Sequence, residues 1–239
     1  MRINKFIASC GVASRRAAEK IITEGRVKLN NKKVVDLATD VDIFNDTITI
    51  DNNIIKMQSR NVYIMLNKPK GCLSTVSDDR GRKTIMDYLG DIKDDLRLFP
   101  IGRLDYDTEG LLLITNDGEM SQKLIHPSNE IDKTYIVKIE GEVEEKELDK
   151  IRKGIMLDRR MLSKSRIKFI KYDGKLSRLE VIIHEGKNRQ IHRMFESINK
   201  NVVFLKRVAI GDLRLGGLSR GSYRYLTEKE ISYLKSLDK

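Results

Sequence analysis

The chain has 239 residues, 40% hydrophobic and 34% charged, which suits a soluble globular protein of one large domain or of a small module and a larger one. Its formal net charge of +11, from 46 basic and 35 acidic side chains, favours an anionic partner. Two cysteines, three scattered histidines and the lack of a signal-like or membrane-spanning apolar run exclude a disulfide framework, a structural metal and a membrane partner. We therefore predict a cytoplasmic protein.

The N-terminal residues predict two short helices followed by a hairpin. Apolar residues between positions 3 and 10 recur at the i, i+3, i+4, i+7 spacing of an amphipathic helix. Ser14 is suited to cap a second helix that ends near Gly25. In VKLNNKKVV, Asn30 and Asn31 tolerate the positive φ of a tight turn.

This N-terminal module is strongly basic. From Arg2 to Lys33 it has nine basic and two acidic residues, so nine minus two leaves +7. A phosphate would relieve the unfavourable placement of cations directly after Ser14, at a helix start. We predict that these basic side chains contact phosphates of the anionic partner and supply affinity and orientation more than sequence discrimination. The predicted contacts are Arg2, Lys5, Ser14, Arg15, Arg16, Lys20 and Arg26.

The rest of the chain predicts a mixed, mainly antiparallel α+β domain with flanking helices. After a strand in DTITID, the polar NNIIKMQSRN is predicted to be a linker, and we place the domains at 1–60 and 61–239. The strands VYIMLN, LLLIT, TYIVKI, RIKFIKY and LEVIIH outnumber the helices. Among the helices, one is predicted to be capped by Asn188 and a last one to open with a capping box at Thr227 and Glu230.

The stretch GRLDYDTEGLLLITNDGE crowds Asp105, Asp107 and Glu109 before an apolar strand. A calcium loop needs a glutamate at its twelfth position, which is Asn116 here. A phosphatase-type aspartyl nucleophile needs the strand before the aspartates, whereas the strand follows them here. The residues alone leave open a solvated loop and a catalytic carboxylate that the nearby Arg103 keeps ionised.

Five motifs together resemble the ribosomal RNA pseudouridine synthases, in the family that comprises enzyme A of the small ribosomal subunit and enzymes B, E and F of the large one. The motifs are NKPKG, STVSDDRGRKT, FPIGRLDYDTEGLLLITNDGE, HPSNEIDKTY and EGKNRQIHRM, in the order and spacing of that family. STVSDDRGRKT with GRLDYDTEG is most similar to the branch of enzyme B, which modifies large-subunit RNA. INKFIASCGVASRRAAEKIITEGRVKLNN resembles an S4 RNA-binding domain. The resemblance implies a pseudouridine synthase fold after an S4-like module.

The resemblance also implies roles for individual residues. Asp105 matches the catalytic aspartate, Tyr135 the tyrosine that packs against the target base, and Lys187 the basic residue that pairs with the aspartate. Arg103 resembles an arginine that fills the gap left by a flipped-out nucleotide, and Leu205 fits the apolar lining of the base pocket.

The EGKNRQIHRM motif adds further substrate-binding candidates. Arg189 and Arg193 lie four residues apart on the helix predicted there, and relatives often have arginine in place of His192, which affects one RNA contact. The candidates are Asn188, Arg189, Gln190 and Arg193.

The implied reaction is the isomerisation of uridine to pseudouridine in ribosomal RNA, with large-subunit (23S) rRNA or its precursor as the expected partner. One carboxylate suffices for it, and no cofactor or metal is expected. The base must be extruded from folded RNA, at a cost on the order of a few kcal/mol, which contacts to phosphates offset. We expect a monomer. The rival hypothesis is a non-catalytic S4-type RNA-binding or ribosome-assembly factor that is insensitive to Asp105.

Overall fold

The computed structural model describes residues 1–92, 96–157, 160–161 and 164–237, and they form two compact units. The first unit comprises Met1–Val62 with the described part of 91–98 and Asn116–Gly118. The second comprises Tyr63–Gly90, Phe99–Thr115 and the described residues from Glu119 onward. Each unit has a hydrophobic core of its own.

Two helices and a small antiparallel sheet make up the first unit. The helices are α1 (Ile3–Ser9) and α2 (Arg15–Thr23). The sheet has the order β2–β1–β3–β4, with β1 at Val27–Leu29, β2 at Lys32–Val34, β3 at Ile48–Ile50 and β4 at Asn53–Ile54. The hydroxyl of Ser14 accepts the N–H of Ala17 at 3.1 Å, which confirms the predicted cap.

Two turns in this sheet use the same backbone chemistry. Asn30 and Asn31 have φ values of +49° and +66° between β1 and β2, as predicted. Asp51 and Asn52 repeat this conformation, with φ values of +49° and +67°, and lead into β4. The segment NNIIKMQSRN is therefore not all linker, because its first residues turn back and pair with β3.

A nine-stranded mixed sheet forms the base of the second unit. Along the sheet the order is β11–β12–β8–β13–β7–β5–β15, while β14 pairs with β13 and β6 pairs with β7. The strands are β5 (Tyr63–Lys68), β6 (Phe99–Ile101), β7 (Glu109–Thr115), β8 (Lys133–Glu140), β11 (Arg166–Tyr172), β12 (Leu176–Ile183), β13 (Val202–Ile210), β14 (Leu213–Arg214) and β15 (Tyr223–Tyr225). A separate two-stranded hairpin joins β9 (Met156–Leu157) to β10 (Arg160–Met161).

Among the described residues, the α-helices that follow the N-terminal pair are α3 (Gly118–Ile125), α4 (Glu145–Arg152), α5 (Gln190–Glu196) and α6 (Glu228–Ser236). Short 3₁₀ helices lie at Ile85–Tyr88 and Pro127–Asn129. Thr227 and Glu230 form the predicted capping box at the start of α6. In the described parts of the chain, no helix is long and apolar enough to cross a membrane.

Two strand pairings determine where the loop 102–108 leaves the sheet. β6 pairs with the end of β7, Phe99 opposite Thr115, whereas β13 pairs in parallel with its first two residues, Glu109 and Gly110. β6 and β13 therefore share one edge of β7. The segment 102–108 lies along this edge and links the end of β6 to the start of β7. Gly110 has a φ of +105°, and a Cβ there would lie 2.1 Å from the carbonyl oxygen of Arg207. Only glycine permits this approach.

Candidate active site

A cleft of about 390 Å³ opens in the second unit, between the loop 102–108, strands β8 and β13, and the segment that precedes α5. It brings together residues that are far apart in the sequence. The predicted site residues that line it are Arg103, Asp105, Tyr135, Lys187, Asn188, Arg189, Gln190 and Leu205. Arg193 is half-buried on α5 and is not one of the lining residues.

Side-chain and backbone hydrogen bonds hold the loop 102–108 in place. The hydroxyl of Ser74 donates to the carbonyl of Leu104 at 2.8 Å and accepts the N–H of the same residue at 3.1 Å. The N–H of Gly71 donates to the carbonyl of Tyr106 at 2.9 Å. The residues on both sides of Asp105 are thus anchored to the chain that follows β5.

Lys68 also holds the loop 102–108 in place, and it was not among the site residues predicted from the sequence. Its side chain is fully buried, and its ammonium donates to the carbonyls of Asp105 and Thr108 at 3.0 Å each and of Pro69 at 3.1 Å. Burial lowers the pKa of Lys68, against the raising effect of nearby acidic groups that include Asp105 and Asp107. The sequence signal was a lysine at the end of a strand that is apolar apart from Asn67.

Asp105 lines the cleft together with the side chains of Tyr135 and Leu205. Tyr135 and Leu205 are 7% and 5% exposed and lie on the adjacent strands β8 and β13, where Leu205 is opposite Val137 and Tyr135 is opposite Arg207. Within the described chain, no side-chain hydrogen bond or ion pair occupies the Asp105 carboxylate. It is therefore available to a ligand in the cleft.

The other two carboxylates of the motif have partners of their own. Asp107 accepts a hydrogen bond from Arg189 at 3.1 Å and lies 3.5 Å from Nε2 of His192. Partial burial would raise the pKa of Asp107, but the bond from Arg189 and the charges of His192 and Arg189 lower it overall. Glu109 is only 2% exposed and lies 3.2 Å from the guanidinium of Arg220. The structure thus separates three clustered acids into one open group and two paired ones.

Lys187 lines the cleft, but the structure differs from the expected pairing with Asp105. Its ammonium lies 2.9 Å from the carboxylate of Glu185. The backbone places it in a tight turn, in which the N–H of Gln190 donates to the Lys187 carbonyl at 3.1 Å and the Gln190 side chain accepts the Lys187 N–H at 3.0 Å. A carboxylate two residues earlier in the chain satisfies the lysine there.

This turn also corrects the prediction that Asn188 caps the helix. The helix begins at Gln190, and the residue before it, Arg189, has a left-handed φ of +47° and makes no side-chain cap bond. Gln190 binds the Lys187 N–H in place of a cap from Asn188. Arg189 therefore does not share a helix with Arg193 as predicted, and its side chain reaches Asp107.

His192 is buried, with 6% exposure, beside Asp107. Burial and the charge of Arg189 lower its pKa, while Asp107, Asp105 and Glu196 oppose this effect. Although it is mostly buried, His192 is one of the residues that line the cleft.

The basic residues predicted for the N-terminal module fall into two groups. Arg2 lies 3.2 Å from Asp40, and Arg26 makes a two-pronged contact with Asp51, whose nearest oxygen is 2.5 Å away. Lys20 is 3.9 Å from Glu24 on the same helix. Arg15 and Arg16 are exposed at the start of α2 and form no ion pair within the described residues.

Comparisons with known proteins identify the family to which the chain belongs. The family model of the RNA pseudouridylate synthases matches residues 62–197, and that of the S4 domain matches residues 1–48. The chain belongs to the RNA pseudouridylate synthase family. The predicted family and the α+β fold class are thereby confirmed.

Several relatives match this chain over nearly its whole length. The Bacillus subtilis ribosomal large subunit pseudouridine synthase B is 44% identical, covering 99% of this chain and 96% of the relative. An uncharacterized RNA pseudouridine synthase of Aquifex aeolicus is 42% identical, covering 98% and 93%. A solved structure of a pseudouridylate synthase superposes with a TM-score of 0.71 at 32% identity, covering 98% of this chain and 99% of the other.

Proposed function

We propose that this RNA pseudouridine synthase acts on ribosomal RNA, that its target uridine lies in large-subunit (23S) rRNA or its precursor, and that it works as a monomer in the cytoplasm. The names of the Bacillus subtilis relative and of a Vibrio cholerae relative, 34% identical over 99% of this chain, support the large-subunit substrate. The observation that carries the site assignment is the unoccupied Asp105 carboxylate beside the wall of Tyr135 and Leu205.

In the proposed reaction, Asp105 is the carboxylate that acts on the flipped-out uridine. The N1–C1′ bond breaks, the uracil turns within the cleft, and C5 bonds to C1′. The hydrogen on C5 leaves as a proton, and N1 ends protonated, so that the product is an isomer of the substrate. No oxidant, reductant or cofactor enters this balance.

The walls of the cleft have a separate task, because the detached uracil must not escape. Tyr135 and Leu205 would hold the ring between apolar surfaces, and an aromatic face is suited to stacking on a base. Arg103, at the mouth of the cleft, would occupy the space that the extruded nucleotide leaves in the RNA. Lys187, which contacts Glu185 in the structure, would leave that carboxylate and pair with Asp105 when RNA is bound.

Release of tritium from RNA labelled at uridine C5 tests the proposal, because the new C5–C1′ bond must expel that hydrogen into water. We expect release by the wild type and none by Asp105→Asn, which should still fold and bind RNA. Asp107→Asn is the matched control, since it removes a neighbouring carboxylate that is already paired; its turnover should fall by no more than about tenfold, from the loss of the contact to Arg189, and should not be abolished. Turnover by Asp105→Asn would overturn the assignment of the catalytic residue.

The choice of substrate needs its own comparison. Labelled large-subunit and small-subunit rRNA, each naked and in a ribosomal precursor, should differ, with release only from the large-subunit RNA. Release from the small-subunit RNA alone would reject the proposed substrate. No release from any of them would favour the rival, a non-catalytic RNA-binding or ribosome-assembly factor.

A further inference from the structure

The large sheet has one covered face and one open face over strands β11, β12, β8 and β13. Burial alternates along β12, with Ser177, Leu179, Val181 and Ile183 buried and the residues between them half-exposed. The covered side includes Tyr135 and Leu205 of the cleft. Residues that lie directly opposite each other on neighbouring strands have their side chains on the same face of the sheet. The strand register therefore shows which side chains lie on the open face.

Two rows of side chains cross this open face. The first row runs Lys171, Arg178, Lys138 and Phe204 on β11, β12, β8 and β13. The second row runs Lys168, Glu180, Ile136 and Lys206 on the same strands. Together with Lys70 the set has six cations and one anion, so six minus one leaves +5. We call these six cations with Phe204 the basic sheet face.

Solvent exposure alone does not explain why the first row brings three cations together. Like charges directly opposite each other across strands destabilise a sheet, yet Arg178 lies between Lys171 and Lys138. Among the described residues, Nε of Arg178 is shielded from solvent and has no hydrogen-bond partner. The neighbouring Arg166, on the same edge strand as Lys171, instead pairs with Asp132.

Phe204 draws two of these cations together. The ammonium of Lys138 lies 5.4 Å from the centre of its ring, and that of Lys70 lies 5.8 Å from it. Attraction to the ring quadrupole offsets part of the repulsion between the two lysines. Because the ring is already occupied by cations, it is not free to stack on a base.

We propose that the basic sheet face is a second RNA contact surface, which binds the phosphodiester backbone next to the target site. The inference rests on the proposed function, since it takes the same RNA as its ligand. Lys70 connects the two sites, because the next residue, Gly71, donates its N–H to Tyr106 in the loop that carries Asp105. Because the cleft lies on the covered face of the sheet, an RNA strand that contacts both sites must pass around the sheet near Lys70, which lies over the Phe204 ring. Such contacts carry affinity without base discrimination.

Charge removal with a matched control tests the surface. The variant Lys138→Gln/Lys171→Gln/Arg178→Gln removes three charges from the basic sheet face. The control Lys150→Gln/Lys153→Gln/Lys229→Gln removes three exposed charges from helix α4, its C-terminal end and helix α6. Both are compared with the wild type for the Kd of a full-length 23S rRNA transcript over a series of KCl concentrations, and for tritium release at saturating RNA.

We expect the first variant to bind the RNA roughly tenfold or more weakly than the wild type. The magnitude of its slope of log K against log salt should fall by about two to three, since each lost phosphate contact removes about 0.7–0.9. The control should keep the wild-type slope, and both variants should release tritium at the wild-type rate when saturated. If the triple variant does not fold, the single variant Lys171→Gln on the exposed edge strand should still lower the slope by about one.

Equal slopes for the first variant and the control would overturn the proposal. Weaker binding to a ribosomal precursor with unchanged binding to naked rRNA would also overturn it, in favour of a protein partner. A wild type that releases tritium, with equal slopes, rejects only this surface. A wild type that releases none rejects the proposed function instead, so the two failures are distinguishable.

Discussion

The buried ammonium of Lys68 donates a hydrogen bond of 3.0 Å to the backbone carbonyl of Asp105. The same ammonium binds the carbonyl of Thr108, three residues later. The lysine therefore contacts both ends of the turn that presents the Asp105 carboxylate, whose side chain it leaves unoccupied. A cation with three donors matches three backbone carbonyls, which is why a buried charge is tolerated here.

Replacing this lysine should affect both folding and catalysis. Lys68→Met keeps the apolar volume but leaves three buried carbonyls without donors, so we expect a loss of roughly 2–4 kcal/mol in unfolding free energy. Turnover should fall on the order of tenfold or more with little change in RNA affinity, because the loop loses its position rather than its contacts to RNA. Urea unfolding and tritium release measure the two effects. Lys229→Met, on the exposed surface of α6, should change neither.

The ion pair between Asp107 and Arg189 should act as one unit. It ties the loop 102–108 to the turn before α5, so Asp107→Asn and Arg189→Gln should each lower turnover by about five- to tenfold. The double variant should be little worse than either single variant, because the second change removes a contact that is already lost. Rates that multiply in the double variant would show that the two residues act independently.

Arg15 and Arg16 should matter more for RNA binding than Arg26. The first two are exposed and form no ion pair among the described residues, whereas Arg26 is held by Asp51 and Glu24. We expect Arg15→Gln/Arg16→Gln to weaken rRNA binding and to lower the salt slope by about 1.4–1.8. Arg26→Gln should change the slope much less, because its charge is already compensated. A larger change in slope for Arg26→Gln than for Arg15→Gln/Arg16→Gln would mean that the RNA binds at the Arg26 side of the module.

Gly110 should not tolerate a side chain. Its φ of +105° is strained for alanine, and the added Cβ would meet the backbone of Arg207 at 2.1 Å, where no flexible side chain can move away. Gly110→Ala should therefore cost at least about 2–3 kcal/mol of unfolding free energy. Gly118→Ala is the matched control, since a Cβ there meets nothing within 4 Å and its φ is not positive. A neutral Gly110→Ala would mean that β7 and β13 do not approach this closely.

Glu230 should make stability depend on pH in the acidic range. Its hydrogen bond from Arg224, helped by Thr227 and opposed by burial, lowers its pKa to about 2. A carboxylate with a lowered pKa stabilises the fold above its unfolded pKa, and this stabilisation is lost as the pH falls from about 4.3 towards 2. Glu230→Gln should cost about 1–2 kcal/mol at neutral pH and flatten that dependence. Glu228→Gln, exposed in the same turn, should leave the pH profile of urea unfolding unchanged.

Local features were predictable because they depend on neighbouring residues. Ser14 and Thr227 cap their helices as expected, and Asn30 and Asn31 form the expected turn. The strand β4 was missed, since a polar segment reads as a linker unless the turn at Asp51 is recognised. The family motifs also predicted the order of the two domains and the set of candidate site residues.

The amino-acid order alone thus decided the caps, the turns, the fold class and which residues to examine, because these follow from short-range backbone preferences and from motifs that stay contiguous. Only the tertiary structure decided which charges meet. Strand register places Lys68 under Asp105 and collects cations on the basic sheet face, and a left-handed Arg189 reaches Asp107 while Lys187 turns to Glu185. Such pairings depend on distances of a few ångströms between elements far apart in the chain, and no local rule encodes them.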